Sequence, residues 1–362
     1  MAAYTIDDPS VHFQNVIWTG DGSSSDRNII NDGNSNLRPD CILGVCRSHV
    51  QHRHMYDSSR GLVANGEILP NSNNIEGDTS AVNSGGYGFL GPALSDGFES
   101  SVGSVNNGYW NVNARTYLAH QWKCNGGTTS TNTDGDINST VQVNNDAGFS
   151  IVVYTPSNNT ARNIGHGLNG APSVIWTKSL TRVDDWRVWS DQLYANQDGS
   201  FILNSSAAHN NNAVLHTGAT STTFGVGTDL SVNGGYQYVS YCWREIKGYS
   251  KFGRYAGNSA ADGSFQYCGF KPAWVMIKRQ TNSSYWSVYD NKSQPRNMLV
   301  QIYKMNETEE QDTNNQFNLD FYSNGFKCRT NNGNINATEG YFYMAFAERP
   351  FTTSTGIPTC AR

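Results

Sequence analysis

Short apolar runs, separated by stretches rich in Asn, Gly, Ser and Asp, recur along the whole chain. Asn and Gly supply the positive-φ positions of tight turns, whereas aromatic and β-branched residues favour strands. Several runs alternate in character. In residues 285–289, Trp286 and Val288 fall on one face of a strand, and we assign that face to the core. The pattern predicts an all-β protein with many short antiparallel strands.

The runs follow an order that occurs three times. In each copy a proline at a strand entrance is followed, 17 positions later, by an aromatic residue that closes a second strand. The pairs are Pro39 and Tyr56, Pro172 and Trp189, and Pro272 and Tyr289. A third block then contains Phe98, Phe224 or Phe326, and closing strands are predicted at 117–122, 238–243 and 343–348. This order predicts a triplicated unit, each copy a two-sheet antiparallel β-sandwich.

The spacing sets the predicted boundaries. They are an N-terminal arm 1–10, a first repeat 11–123, a polar linker 124–146, a second repeat 147–246, a third repeat 247–351 and a C-terminal tail 352–362. The linker is rich in Asn, Gly and Thr, so we expect an extended connection rather than a structural element.

Composition narrows the function classes. Only 15% of residues are charged, the formal net charge is −5, and no basic cluster stands out, so nucleic acid is a poor candidate partner. No apolar run is long enough to span a membrane, and the N-terminus has no apolar core, so we expect neither membrane insertion nor a secretory leader. Seven cysteines form no Cys-x-x-Cys pair, which predicts buried free thiols.

No catalytic motif is found, and we expect neither an enzyme nor a cofactor. Paired acids at 184–185 and 307–310 lie in polar segments and do not indicate a glycosidase. His52 and His54 share one strand face and are a weak candidate metal site, with exposed strand histidines as the alternative. The run 132–138 lacks the glycine and the closing glutamate of a calcium loop.

Tryptophans beside Asn and Asp are candidate sugar-binding platforms, because ring faces stack on pyranoses while amides and carboxylates bind hydroxyls. The weak candidates are Trp18, Trp110, Trp176 and Trp274. The alternative for each is an ordinary place in the core.

Several segments resemble a repeat family that is abundant in virion proteins of marine tailed bacteriophages, including cyanophages and pelagiphages. They are residues 4–13, 165–172, 238–243, 248–272, 323–329 and 343–348. The family is described as lectin-like or concanavalin-A-like. The resemblance implies jelly-roll or concanavalin-A-like repeats in a virion protein that is assembled in the host cytoplasm with other virion proteins. It transfers no catalytic residue.

Within that resemblance, the favoured role is a tail-fibre-type appendage that contacts host-surface glycans. The alternatives are a capsid or tail decoration protein without receptor binding, and a secreted carbohydrate-binding module. The closing strands carry almost no charge, so if one lay at a sheet edge it would need protection. We therefore expect a homo-oligomer, and the resemblance to phage appendages and decorations implies a trimer.

Overall fold

The computed structural model describes residues 4–193, 199–210 and 215–359, and the predicted all-β class is confirmed. Helical structure within these residues is limited to a 3-10 helix Pro9–Val11 and two single turns, α1 Ser84–Tyr87 and α2 Gly333–Asn336. None of these helices is long and apolar enough to cross a membrane.

The strands form three β-sandwiches, each a large and a small antiparallel sheet. The first contains β1 Phe13–Thr19, β2 Arg27–Ile29, β3 Cys41–Cys46, β4 His54–Asp57, β5 Phe89–Ala93, β6 Phe98–Ser101 and β7 Thr116–Trp122. The second contains β8 Ser130–Asn132, β9 Ser139–Asn144, β10 Phe149–Tyr154, β11 Arg162–Gly165, β12 Val174–Ser179, β13 Arg187–Ser190, β14 Phe201–Ile202, β15 His216–Ala219, β16 Thr223–Val226 and β17 Tyr238–Trp243. The third contains β18 Ser250–Ala256, β19 Phe265–Tyr267, β20 Phe270–Arg279, β21 Ser287–Asp290, β22 Tyr303–Lys304, β23 Leu319–Tyr322, β24 Gly325–Cys328 and β25 Gly340–Pro350.

The same strand order is found in all three sandwiches. The large sheets contain β1-β7-β3-β4, β10-β17-β12-β13 and β18-β25-β20-β21, and the small sheets are β2-β6-β5, β11-β16-β15 and β19-β24-β23. The spacing of 17 residues reappears in the pairing. Ile42 lies opposite Tyr56, Ile175 opposite Trp189 and Val275 opposite Tyr289.

The third closing strand begins two residues earlier than the sequence pattern predicts, so that prediction is wrong. Trp18 pairs with Tyr117 and Tyr154 with Tyr238, and the matching pair in the third sandwich is Tyr255 with Tyr341, not Tyr343. Tyr341 and Tyr343 are both aromatic and lie on the same face of β25, and a shift of two keeps every side chain on its face. The sequence pattern therefore does not distinguish the two alignments.

The segment 124–146 is not a plain linker, so that prediction is wrong. It contains the hairpin of β8 and β9, which extends the second large sheet beyond β10. Val141 of this hairpin is buried in the core. Isolated valines among polar residues mark one buried face of a short strand, and the polar composition hid this alternation.

Both faces of the large sheets are buried. The prediction that only the face of Trp286 and Val288 points to a core is therefore wrong. The first and third sandwiches have their own cores, with Tyr56 and Tyr289 between the two sheets. Trp286 and Val288 lie instead in a central core that contains residues from all three sandwiches. There Trp122 contacts Trp243 at 6.2 Å and Phe346 at 5.8 Å between ring centroids. The large sheets therefore pack together through the faces that point away from the small sheets.

Six cysteines are buried and form no disulfide within the described part of the chain; Cys360 lies outside it.

Candidate functional site

The four candidate tryptophan platforms are buried, so that prediction is wrong. Trp18 is 7% exposed and donates its indole N–H to the Trp110 carbonyl oxygen at 2.9 Å. Trp110 belongs to the same core of the first sandwich, whereas Trp176 and Trp274 belong to the central core. Because each large sheet is buried on both faces, strand alternation places no large aromatic residue of its middle strands at the surface.

The candidate metal site fails for a similar reason. His54 is fully buried, with ring centroids 5.0 Å from Trp110 and 5.4 Å from Tyr109, and burial lowers its pKa to about 3. His52 is half-buried, and its Nδ1 lies 3.0 Å from the Asn71 amide nitrogen. The expected exposed face of β4 is instead packed inside the first sandwich. Among the described residues there is no group of three His, Cys, Asp or Glu that could hold a metal.

The polar groups that the structure does bring together lie between sandwiches. We call residues 69–76, 202–209 and 304–311 the straps, because each leaves one sandwich and lies across the next. Their starting points are equivalent, since Met55 pairs with Ile68, Val188 with Phe201 and Val288 with Tyr303 just before each strap.

A first set of backbone hydrogen bonds fixes the straps. The N–H of Asp184 donates to the Asn73 carbonyl oxygen at 3.0 Å, and that of Ser284 to the Ser206 oxygen at 2.9 Å. The equivalent bond of the third strap runs from the Gln51 N–H to the Thr308 oxygen at 2.8 Å. The strap of the first sandwich thus lies on the second, the strap of the second lies on the third, and the strap of the third lies on the first.

A second set of backbone hydrogen bonds follows the same cyclic order. In this set the strap donates, whereas in the first set it accepts. The strap N–H groups of Glu76, His209 and Gln311 donate to carbonyl oxygens of the next sandwich. The bonds are Glu76 to Leu180 at 3.0 Å, His209 to Gln280 at 2.9 Å and Gln311 to Arg47 at 2.8 Å. Two equivalent bonds at each of three junctions close the sandwiches into a ring within one chain.

One side chain position also recurs at the junctions. Trp186 donates its indole N–H to the Leu69 oxygen at 2.8 Å, and Trp286 donates to the equivalent Ile202 oxygen at 3.0 Å. The first sandwich has Arg53 at this position. Its guanidinium lies 5.5 Å from the Tyr303 ring centroid and donates to the backbone carbonyl oxygen of Glu309 at 2.6 Å. Arg53 is fully buried, and burial lowers its pKa to about 10.

Two of the junctions contain a buried lysine. Lys178 donates to the Asn73 oxygen at 3.3 Å, and Lys278 to the Ser206 oxygen at 2.9 Å. Burial lowers the pKa of Lys178 to about 8 and that of Lys278 to about 7. The equivalent residue of the first sandwich is Val45, so the third junction is held differently.

The junction of the third and first sandwiches contains a cleft with many polar groups. Asn15 donates to the Ala273 oxygen at 2.9 Å and to the Asn291 amide oxygen at 3.0 Å. Lys292 forms an ion pair with Asp32 at 2.6 Å. These polar groups therefore join two sandwiches.

The clustered acids also have structural partners. Asp184 pairs with Arg182 at 3.1 Å and Glu309 with Lys304 at 2.7 Å. In the junction of the first and second sandwiches, Tyr241 donates to a carboxylate oxygen of Asp57 at 2.6 Å. The Tyr241–Asp57 bond is buried and stabilises the contact between the two sandwiches, whereas Glu309 is exposed and its ion pair contributes little.

The straps were not predicted, although each contains one Asn at an equivalent position. The amide oxygens of Asn71, Asn204 and Asn306 accept the backbone N–H of Arg53, Trp186 and Trp286, each at 2.9 Å. An Asn therefore follows the closing aromatic residue by 15, 15 and 17 positions. The straps contribute mainly backbone N–H and carbonyl groups to the other contacts, and every residue type provides these groups.

Fold and contacts define an all-β protein whose three sandwiches close into a ring through equivalent straps. The chain belongs to the family described as Domain of unknown function (DUF7483), which matches residues 8–350. That match extends from Asp8, which caps the 3-10 helix, to Pro350 at the end of β25, and so includes all three sandwiches. No curated protein and no solved structure matches the chain.

Proposed function

We propose that the chain is a structural protein rather than an enzyme, and that it acts as one preassembled three-part block. The observation that carries this proposal is the ring of straps, with two equivalent backbone hydrogen bonds at each of three junctions. The polar cleft between the third and first sandwiches supports it, because Asn15 binds Asn291 and Asp32 binds Lys292 across that junction.

We further propose that the three sandwiches are tandem repeats of one jelly-roll or concanavalin-A-like unit. The shared strand order and the shared pairing of residues 42, 175 and 275 support this. The resemblance of several segments to marine phage proteins then favours a virion component, as a tail-fibre-type appendage that contacts the host surface. A three-part block of this kind is equally suited to decoration of a capsid or tail, which is the second candidate.

The edge-strand argument for a homo-oligomer does not hold, and the trimer then rests on the resemblance to phage proteins alone. The closing strands β7, β17 and β25 lie inside their sheets, each between two hydrogen-bonded neighbours, and not at an edge. In the ring, the apolar faces that a trimer of single sandwiches would bury between subunits are buried within one chain. We propose that one chain is the functional block. Sedimentation of the purified chain measures whether further copies assemble with it.

The experiment is mass spectrometry and electron cryomicroscopy of purified particles of the phage that encodes the chain. We expect its peptides in the particle and a three-lobed density of one chain at the tail. Density on the capsid would favour the decoration role. Absence of the peptides from purified particles would contradict a virion function.

A further inference from the structure

The small sheet of the third sandwich exposes three aromatic side chains on one face. Phe265 is 42% exposed, Tyr267 57% and Tyr322 38%. The pairing places Tyr267, Gly325 and Tyr322 in one row across the sheet, and Phe265, Lys327 and Asp320 in the neighbouring row. Residues directly opposite one another in an antiparallel pair share a face, so these six residues form one surface, which we call the aromatic face.

Gly325 allows the rings to approach each other over the middle strand. A Cβ atom at this position would lie 2.0 Å from the Gln266 carbonyl oxygen and 2.9 Å from the Phe265 ring. Phe265 and Tyr322 meet edge to face with centroids 5.7 Å apart. Tyr267 lies at the other end of its row, two strand spacings or about 10 Å from Tyr322. A short oligosaccharide can span that distance.

Charged groups surround the rings, and they neutralise one another. Asp262 binds both Lys327, at 2.8 Å, and Arg329. Arg329 also reaches Asp320 at 3.4 Å, and Asp320 accepts the Tyr322 hydroxyl at 3.2 Å. Two acids and two bases leave no formal net charge, which matches a neutral ligand better than a polyanion.

The other two small sheets lack this surface. The residues equivalent to Phe265, Tyr267 and Tyr322 are Asn28, Ile30 and Leu94 in the first sandwich, and Asn163, Gly165 and Thr220 in the second. The aromatic residues are therefore not required by the fold. Three partly exposed rings also cover much less than the roughly 800 Å² per partner of a stable protein interface.

We propose that the aromatic face binds a neutral carbohydrate. The rings of Tyr267 and Tyr322 provide stacking surfaces for pyranose units, and the carboxylates and basic groups beside them bind the sugar hydroxyls. This inference deepens the proposed host contact by assigning it a ligand class and a surface. The buried Trp18, Trp110, Trp176 and Trp274 have no part in it.

The test is electrophoresis of the full chain in native gels that contain dextran, mannan or galactan. We expect retardation in at least one gel, and at least a tenfold weaker apparent affinity for the double variant Tyr267→Ala/Tyr322→Ala. Tyr87→Ala in the first sandwich is the matched control, because Tyr87 is also 38% exposed, and its affinity should be unchanged. Equal thermal midpoints of all variants show that the fold is intact.

The proposal is overturned if no gel retards the chain, or if Tyr87→Ala weakens binding as much as the double variant. It is also overturned if the aromatic variants abolish a concentration-dependent dimer instead, because the face would then bind a second copy. If peptides of the chain are found in the particle but no gel retards the chain, only the carbohydrate inference is refuted. Retardation without peptides in the particle refutes the virion role alone.

Discussion

The backbone N–H of Gln51 donates to the Thr308 carbonyl oxygen at 2.8 Å and so joins the first sandwich to the third. The same bond joins the first to the second and the second to the third through Asp184 and Ser284. The first two junctions are also connected by the chain itself, whereas the third is held by noncovalent contacts alone. We therefore expect changes at the third junction to affect the closure of the ring most directly.

Arg53→Ala tests that junction. The substitution removes a charge-assisted hydrogen bond to Glu309 and the contact with the Tyr303 ring from a fully buried site. We expect a loss of about 2 kcal/mol in the free energy of unfolding, measured by urea titration. Arg296→Ala, at an exposed arginine, is the control and should change it by less than about 0.5 kcal/mol. Equal values for the two variants would contradict the importance of Arg53.

Asn306→Ala tests the recurring strap residue. The amide oxygen of Asn306 accepts the N–H of Trp286, and its removal leaves that donor unpaired in a buried site. We expect a loss of about 1–2 kcal/mol, and a similar loss for Asn71→Ala and Asn204→Ala. Asn314→Ala, at an exposed position of the same region, should be neutral. Different costs at the three strap positions would argue against their equivalence.

The buried lysines predict a rise of stability with pH. The pKa of Lys278 is lowered to about 7 in the folded chain, against 10.5 for an ordinary lysine, so the unfolded chain binds more protons in between. The free energy of unfolding should therefore rise from pH 7 to pH 9, by up to about 2 kcal/mol for this residue. Lys278→Met should reduce the slope, and Lys251→Met on β18 should preserve it. A flat profile in the wild-type chain would contradict this account.

The buried histidines predict a pH dependence of the same sign at acid pH. Burial lowers the pKa of His54, His120 and His216 to about 3, against 6.5 for an ordinary histidine. Below pH 6.5 the unfolded chain takes up protons that the folded chain excludes, so stability should fall as the pH drops toward 3. His120→Gln should make the decline shallower, whereas the exposed His49→Gln should leave it unchanged. The measurement is the urea midpoint at pH 7, 5.5 and 4.

The all-β class, with many short antiparallel strands, was the part of the fold that the sequence could predict. Aromatic and β-branched strand residues and Asn- or Gly-rich turns have local structural reasons, and a proline and an aromatic residue recur 17 positions apart in each copy. The burial of Trp176 and Trp274 could not be predicted, because alternation shows which residues share a face but not what covers it. The ring was also hidden, since bonds such as Gln311 to Arg47 join backbone atoms that every residue type provides.

The most direct test of the ring is carbodiimide coupling of Lys292 to Asp32, whose charged atoms lie 2.6 Å apart across the third junction. The chain is prepared with and without nitrogen-15, the two forms are mixed, and the peptides are analysed by mass spectrometry. We predict a coupled pair of peptides that carry the same label, from a protein that sediments as one chain, and no such pair in Lys292→Met. Coupled peptides with mixed labels, or no coupling in the wild-type chain, would contradict a ring closed within one chain.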